Sequence, residues 1–280
     1  MIIQNIIRMY DYYNNQIPLF ELLGESYYTK TRERFFENRG FRVAHSALVA
    51  TGFSAIAALD NKNNLFIFYP GAYYSVDFIN SVCLMIGREN PQMIYDVPKF
   101  LGQLFDKLTK NGITISGLSI YGHSLGVGNL IKSIQYIHAN KPDGINNISA
   151  FSLEDIGSKS IANFLEIDLD IFGSFCDYYA FNFYLKNGFN STLEHIMPPI
   201  YVKPNNNIYI SKYKSVRTFL EAANGHKIKS FLENVSLITC AHEEYSNTAN
   251  QNGIYKNLTS SIKHDLYSLT SKIRGQHDHQ

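Results

Sequence analysis

Gly122-His123-Ser124-Leu125-Gly126 is the stretch whose residue types and spacing suit covalent chemistry. A serine hydroxyl is a weak nucleophile until a base takes its proton and nearby N–H groups hold the oxyanion that develops. The pattern Gly-x-Ser-x-Gly serves that chemistry where a strand turns sharply into a helix, because the turn lifts the hydroxyl clear of the backbone. Residues two before and two after the serine then pass so close to other backbone that a Cβ would clash, hence glycine. The helix beyond aims its free N–H groups and its dipole at the reacting centre. On this reading Ser124 attacks, and the N–H of Leu125 faces the oxyanion. His123 cannot serve its own neighbour as base and is expected to be a packing or rim residue. The competing reading is a glycine-rich connection with no chemistry.

The elements that must position Ser124 are legible around it. "ITISGLSIYG" (113–122) reads as a strand, and Val127, Leu130, Ile131, Ile134 and Ile137 give the stripe of a following helix. Upstream, 54–71 reads as strand, turn and strand, with Asn61-Lys62-Asn63-Asn64 as the turn. Residues 97–110 form a helix pattern through Val97, Phe100, Leu101, Leu104, Phe105 and Leu108. Asp96 is its expected N-cap, and Lys107, Lys110 and Gly112 mark its end. "NNISAFSLEDIG" (146–157) is a further strand. This alternation predicts an α/β fold with a mainly parallel central sheet covered by helices on both faces. Later, a helix is expected near Ile161–Leu165, strands near Tyr179–Leu185 and Ile208–Tyr213, and a helix over Lys227–Val235.

The bulk numbers restrict the function classes. The chain has 280 residues, 45% hydrophobic and 18% charged, which suits one large domain. We expect a single domain over 1–275 with its core at about 45–235, a lid or insertion over 158–205, and a frayed tail at 276–280. Net charge is +1, too little to draw nucleic acid, and membrane contact is expected to be at most transient. Three scattered cysteines, Cys83, Cys176 and Cys240, argue against a disulfide framework or a zinc site. No stretch reads as a signal peptide or reaches the roughly 20 apolar residues that span a bilayer. The expectation is a soluble protein, cytoplasmic or exported by a route without a recognisable signal. No metal or cofactor is expected; His277 and His279 read as a solvated tail.

"YGHSLGVGNLIKSI" resembles the nucleophile segment of the class 3 (fungal-type) lipases, a branch of the α/β hydrolases. "IFYPGAYYSVDF" (67–78) resembles the second characteristic segment of that family, with Gly71, Ser75, Asp77 and Phe78 matching. Pro70 stands for the usual Arg, and Ala72 for the usual Thr or Ser. The two segments cover roughly residues 45–140, in the right order and at the right separation. The resemblance implies an α/β-hydrolase fold, hydrolysis of a lipid ester, no metal, and a mobile lid. It also implies that Ala72 gives a backbone N–H to the oxyanion, without the hydroxyl that often adds a second donor. Losing one such donor costs about 10²–10³ in rate, so a slow or differently tuned enzyme is expected.

A base and an acid must complete the group. In this fold the histidine comes late. His226, in "NGHKIKSFLENV", has the best context, and His242, in "SLITCAHEEY", is the runner-up; His195 and His264 have weaker ones. The family carries its acid after the strand "YYAFNFYLKNGFN", but no carboxylate stands there. Asp155, at the end of the preceding strand, is the first choice, with Glu154 beside it. Glu194 is a further candidate, and Asp177 falls at the wrong end of its strand. Glu154 and Asp155 also suit capping of a helix that starts near Ser158. The expected function is a serine esterase acting on a lipid or other ester through an acyl-enzyme on Ser124, with His226 and Asp155. The alternatives are a hydrolase-fold protein impaired in catalysis that binds a lipid or protein partner, and an acyltransferase using the same serine.

Overall fold

Among the described residues of the computed structural model, eight strands hydrogen-bonded in chain order form one sheet. The structure describes residues 16–183, apart from 17, 28–30, 73–76, 78, 79, 82, 85–87, 143 and 146, together with 200–204 and 235–239. All of these lie in the compact unit Met1–Cys240. The strands are β1 (Arg42–Leu48), β2 (Ser54–Leu59), β3 (Asn64–Tyr69), β4 (Gly117–His123), β5 (Ile148–Leu153), β6 (Cys176–Phe183), β7 (Ile200–Pro204) and β8 (Val235–Thr239). β1, β2 and β3 form an antiparallel meander, β3 to β7 run parallel, and β8 returns antiparallel to β7. The expected mainly parallel α/β sheet is therefore present.

Helices cover both faces. We label a helix at 18–25 α1, followed by α2 (Arg32–Asn38), α3 (Val97–Lys110), α4 (Leu125–Asn140), α5 (Ser158–Phe164) and α6 (Leu169–Phe175). On one face Leu65, Ile67, Leu118, Ile120 and Ala150 meet the apolar stripes of α3 and α4. On the other, Phe68, Tyr121, Phe151 and Leu153 meet Phe20, Leu22 and Leu23 of α1 and Phe36 of α2. The alternation of side chains along each strand sorts one apolar run into two cores. On the second face Phe68, Tyr121, Phe151 and Tyr179 stack ring on ring across β3 to β6, at centroid spacings of 5.0, 4.7 and 5.3 Å.

Helix α3 spans the residues its periodicity predicts, and it ends as Gly112 suggests. Gly112, with φ of 63°, donates to the Thr109 carbonyl, and Ile113 donates to that of Leu108. This paired closure takes Ile113 into the helix terminus, so β4 begins at Gly117 and not at 113. Asp96 is no cap. Its backbone is already helical, at the end of a π-turn (Gln92–Asp96), and its carboxylate accepts the Thr51 hydroxyl at 2.5 Å. β5 and β6 start and stop within a few residues of the expected strands. Helices α1, α2 and α6 and strands β1, β7 and β8 have no counterpart among the elements expected from the sequence. The expected strand Ile208–Tyr213 lies outside the described residues, as does the expected helix Lys227–Val235 except Val235, which opens β8. Among the described residues no helix is long and apolar enough to cross a membrane. Cys83 and Cys176 are free thiols, and burial pushes that of Cys176 far above its usual range.

Candidate active site

The turn from β4 to α4 has the geometry that the glycine spacing predicts. Ser124 has φ 52° and ψ −119°, a region that residues with a Cβ avoid, and α4 starts at the next residue. A Cβ on Gly126 would lie 2.1 Å from the Tyr69 carbonyl oxygen, and one on Gly122 would lie 2.8 Å from that of Gly126. Both positions are closed to any side chain, so strand, turn and helix are pressed together around the serine. The Ser124 N–H donates to the Leu153 carbonyl at 3.1 Å, and its own carbonyl accepts the Val127 N–H at 2.9 Å. Ser124 is half-buried, whereas its neighbours His123 and Leu125 are buried. As the first residue of α4, Leu125 has no acceptor for its N–H within the helix.

Parallel register gathers the other candidates at the same edge. Tyr69 pairs with Gly122, and His123 with Leu153. Just past those strand ends the chain carries Gly71 and Ala72 after β3, Ser124 and Leu125 after β4, and Glu154 and Asp155 after β5. Ligands of parallel sheets bind outside the carboxyl ends of the strands, which is this edge. Ala72 is exposed there. Asp177 pairs with Ser149 near the start of β6, at the opposite edge, and accepts the Asn147 amide at 2.9 Å. His226, His242 and Glu194 lie outside the described residues.

Asp155 is wholly buried. Its Oδ1 accepts the N–H groups of Gly157 and Ser158 at 2.9 and 2.7 Å, so it caps the start of α5. Its Oδ2 accepts the hydroxyls of Ser152 and Tyr178 at 3.2 and 3.0 Å. Burial and then the nearby Asp155 charge push the Tyr178 phenol well above its usual range. The capping role weighed for Asp155 from sequence is thus what the described residues display. Glu154 is buried too, with φ of 54°.

Two groups of residues behind the edge were not anticipated. The Tyr27 hydroxyl, just past α1, is hydrogen-bonded with Nδ1 of His123 and accepts the Gly71 N–H, both at 2.5 Å. The His123 ring packs edge-on to the Tyr27 ring at 5.9 Å, so its expected packing role holds. The second group is a buried polar chain. Asn129 of α4 donates to Gln92 at 3.0 Å, and Gln92 donates to Asp77 at 3.0 Å and to the Thr51 carbonyl at 3.2 Å. It ties the segment that follows Ala72 to the helix behind Ser124. Asp77 and Asn129 both sit in the two motif segments, which was the available signal. Tyr27 was visible only as one of several tyrosine pairs.

No protein-family model matches the chain, and comparison with curated proteins finds no match.

Proposed function

We propose that the chain is a serine hydrolase of the α/β-hydrolase type that cleaves a carboxylic ester, with a lipid ester as substrate. The backbone of Ser124, held at φ 52° between β4 and α4 by two glycines that admit no Cβ, is the observation that carries the reading. Strain of this kind costs about 1–3 kcal/mol and persists where the surroundings enforce it. Here it sets the half-buried serine at the end of a central parallel strand and beside a helix N-terminus. The likeness of both motif segments to class 3 lipases supports the lipid ester.

In this mechanism Ser124 Oγ attacks the acyl carbonyl while His226 takes its proton. His226 then hands that proton to the departing alkoxide, leaving an acyl-enzyme. A water molecule, deprotonated by His226, attacks the ester in turn, and collapse of the intermediate releases the acid as His226 returns the proton to Ser124 Oγ. The N–H groups of Leu125 and Ala72 stabilise both tetrahedral oxyanions, and Asp155 orients His226. Chain topology supports His226. Pro204 pairs with Val235, so the connection carrying His226 leaves and rejoins the sheet at the carboxyl edge of the parallel strands. β7 lies three strands from β4, about 14 Å at ~4.8 Å per strand. The nine residues from His226 to Val235 reach about 30 Å.

A second reading is favoured by the bonding of Asp155. Its carboxylate is wholly buried and accepts two backbone N–H groups at the start of α5 and the hydroxyls of Ser152 and Tyr178, a structural duty of its own. That arrangement suits a hydrolase-fold protein with little or no turnover that binds a lipid or a partner. An alcohol in place of water would make the same acyl-enzyme an acyltransferase. A fluorophosphonate probe tests the main reading. It should label the wild-type chain at Ser124 and leave Ser124→Ala unlabelled; an unlabelled wild type, or equal labelling of both, would overturn it.

A further inference from the structure

We propose that Tyr27 is a positioning residue that ties the oxyanion turn at Gly71–Ala72 to the nucleophile turn at His123–Ser124; this rests on the esterase reading above. Three observations converge on one oxygen atom. The Tyr27 hydroxyl accepts the Gly71 N–H and hydrogen-bonds Nδ1 of His123, the residue before the nucleophile. Gly71 is pressed against the same pair, because a Cβ there would lie 2.6 Å from the Tyr27 hydroxyl, 2.8 Å from the His123 carbonyl oxygen and 2.9 Å from Nδ1. β3 and β4 end side by side with Tyr69 opposite Gly122, so their backbone pairing stops just before the two turns. Beyond that point the Tyr27 bridge continues the link between them.

The consequence is chemical. An oxyanion hole works when its donors are fixed before the charge develops, and one donor comes from each turn. A shift of about 1 Å between them costs on the order of 10² in rate. Burial drives the Tyr27 phenol far above its usual range, so it stays a neutral hydroxyl at any working pH. Tyr27 is also brought in from outside the two motif segments, 44 residues before Gly71, so the stretch around α1 is part of the site.

Tyr27→Phe keeps the ring against His123 and removes the tie. With p-nitrophenyl butyrate, kcat should fall about ten- to a hundredfold while KM stays within about threefold, and fluorophosphonate labelling of Ser124 should slow in parallel. A loss confined to thermal stability would not split kcat from KM. A folded Tyr27→Phe chain that labels and turns over at the wild-type rate overturns the proposal and leaves the esterase reading standing. An unlabelled wild type removes that reading, and the catalytic meaning of the tie with it. Amide hydrogen exchange at Gly71 in the unmutated chain needs no variant. The amide should be protected at least about tenfold over an open loop, and exchange at the open-loop rate overturns the proposal even if Tyr27→Phe fails to fold.

Discussion

Glu154 and Ser124 each follow the end of one of two paired parallel strands, and both backbones turn through positive φ, 54° and 52°. Neither residue is a glycine, so each turn holds strain of about 1–3 kcal/mol. The Ser124 N–H bond to Leu153, the residue before Glu154, locks the two turns to one another. On the proposed esterase reading, this strained edge of the sheet is where fold stability and activity would oppose each other.

Replacing Ser124 should separate those two quantities. Ser124→Gly relieves the positive φ, and after the entropic cost of glycine the chain should gain about 1 kcal/mol in a denaturant titration. Ester hydrolysis should fall to background in the same protein. A variant less stable than the wild type would show that the turn is not strained.

The glycines should divide by what surrounds them. Gly126→Ala places a methyl group 2.1 Å from the Tyr69 carbonyl oxygen, and should cost about 3 kcal/mol or abolish folding. Gly112→Ala meets nothing within 4 Å and bears only its φ of 63°, for about 1 kcal/mol. Parallel unfolding curves of the two variants check the contrast, which vanishes if the turn relaxes to admit a Cβ.

Asp155 offers a test of cap against acid. Asp155→Ala leaves two backbone N–H groups and two hydroxyls without their acceptor in the core, and should cost about 2–4 kcal/mol. Asp155→Asn retains an acceptor oxygen for Gly157 and Ser158 and should fold. If Asp155 orients His226, the Asn variant should lose about 10⁴ in kcat. Full activity in that folded variant would assign the acid to another residue.

Low pH should loosen the turn between β2 and β3. Asp60 accepts the N–H groups of Lys62 and Asn64 and the side-chain amide of Asn64. Partial burial opposes its charge, but these bonds and Lys62 outweigh it and hold its carboxyl below the usual range. Its contribution is therefore complete above the unfolded value, about pH 4, and is lost as pH falls through the lower folded one. Urea midpoints between pH 5 and pH 2 should drop more steeply for the wild type than for Asp60→Asn. Equal slopes would remove Asp60 as the cause.

The parts legible in the sequence are those whose signal is local. Helix α3 could be read to the residue because its apolar stripe and Gly112 closure fall within one segment. The turn at Ser124 could be read because steric demand writes itself as glycine at fixed offsets. Strand β1 escaped because it is an edge strand with a half-buried mixture that includes Arg42, His45 and Ser46. Tyr27 escaped because its partners are 44 and 96 residues away, and no short-range pattern reports such a bond. Asp155 read equally as acid or cap, since both roles want a carboxylate just beyond a strand.

The ring stack that crosses β3 to β6 gives the protein a built-in optical reporter. The chain has 20 tyrosines and no tryptophan, so its near-ultraviolet absorption belongs chiefly to tyrosine. Tyr121 is clasped between Phe68 and Phe151, with α1 over the same face. A fixed chiral surrounding of that kind should produce a tyrosine circular-dichroism band that follows the union of sheet and α1. Because Tyr121 lies three residues before Ser124, the same band would sense, without any added label, whether the strand beneath the serine is properly packed.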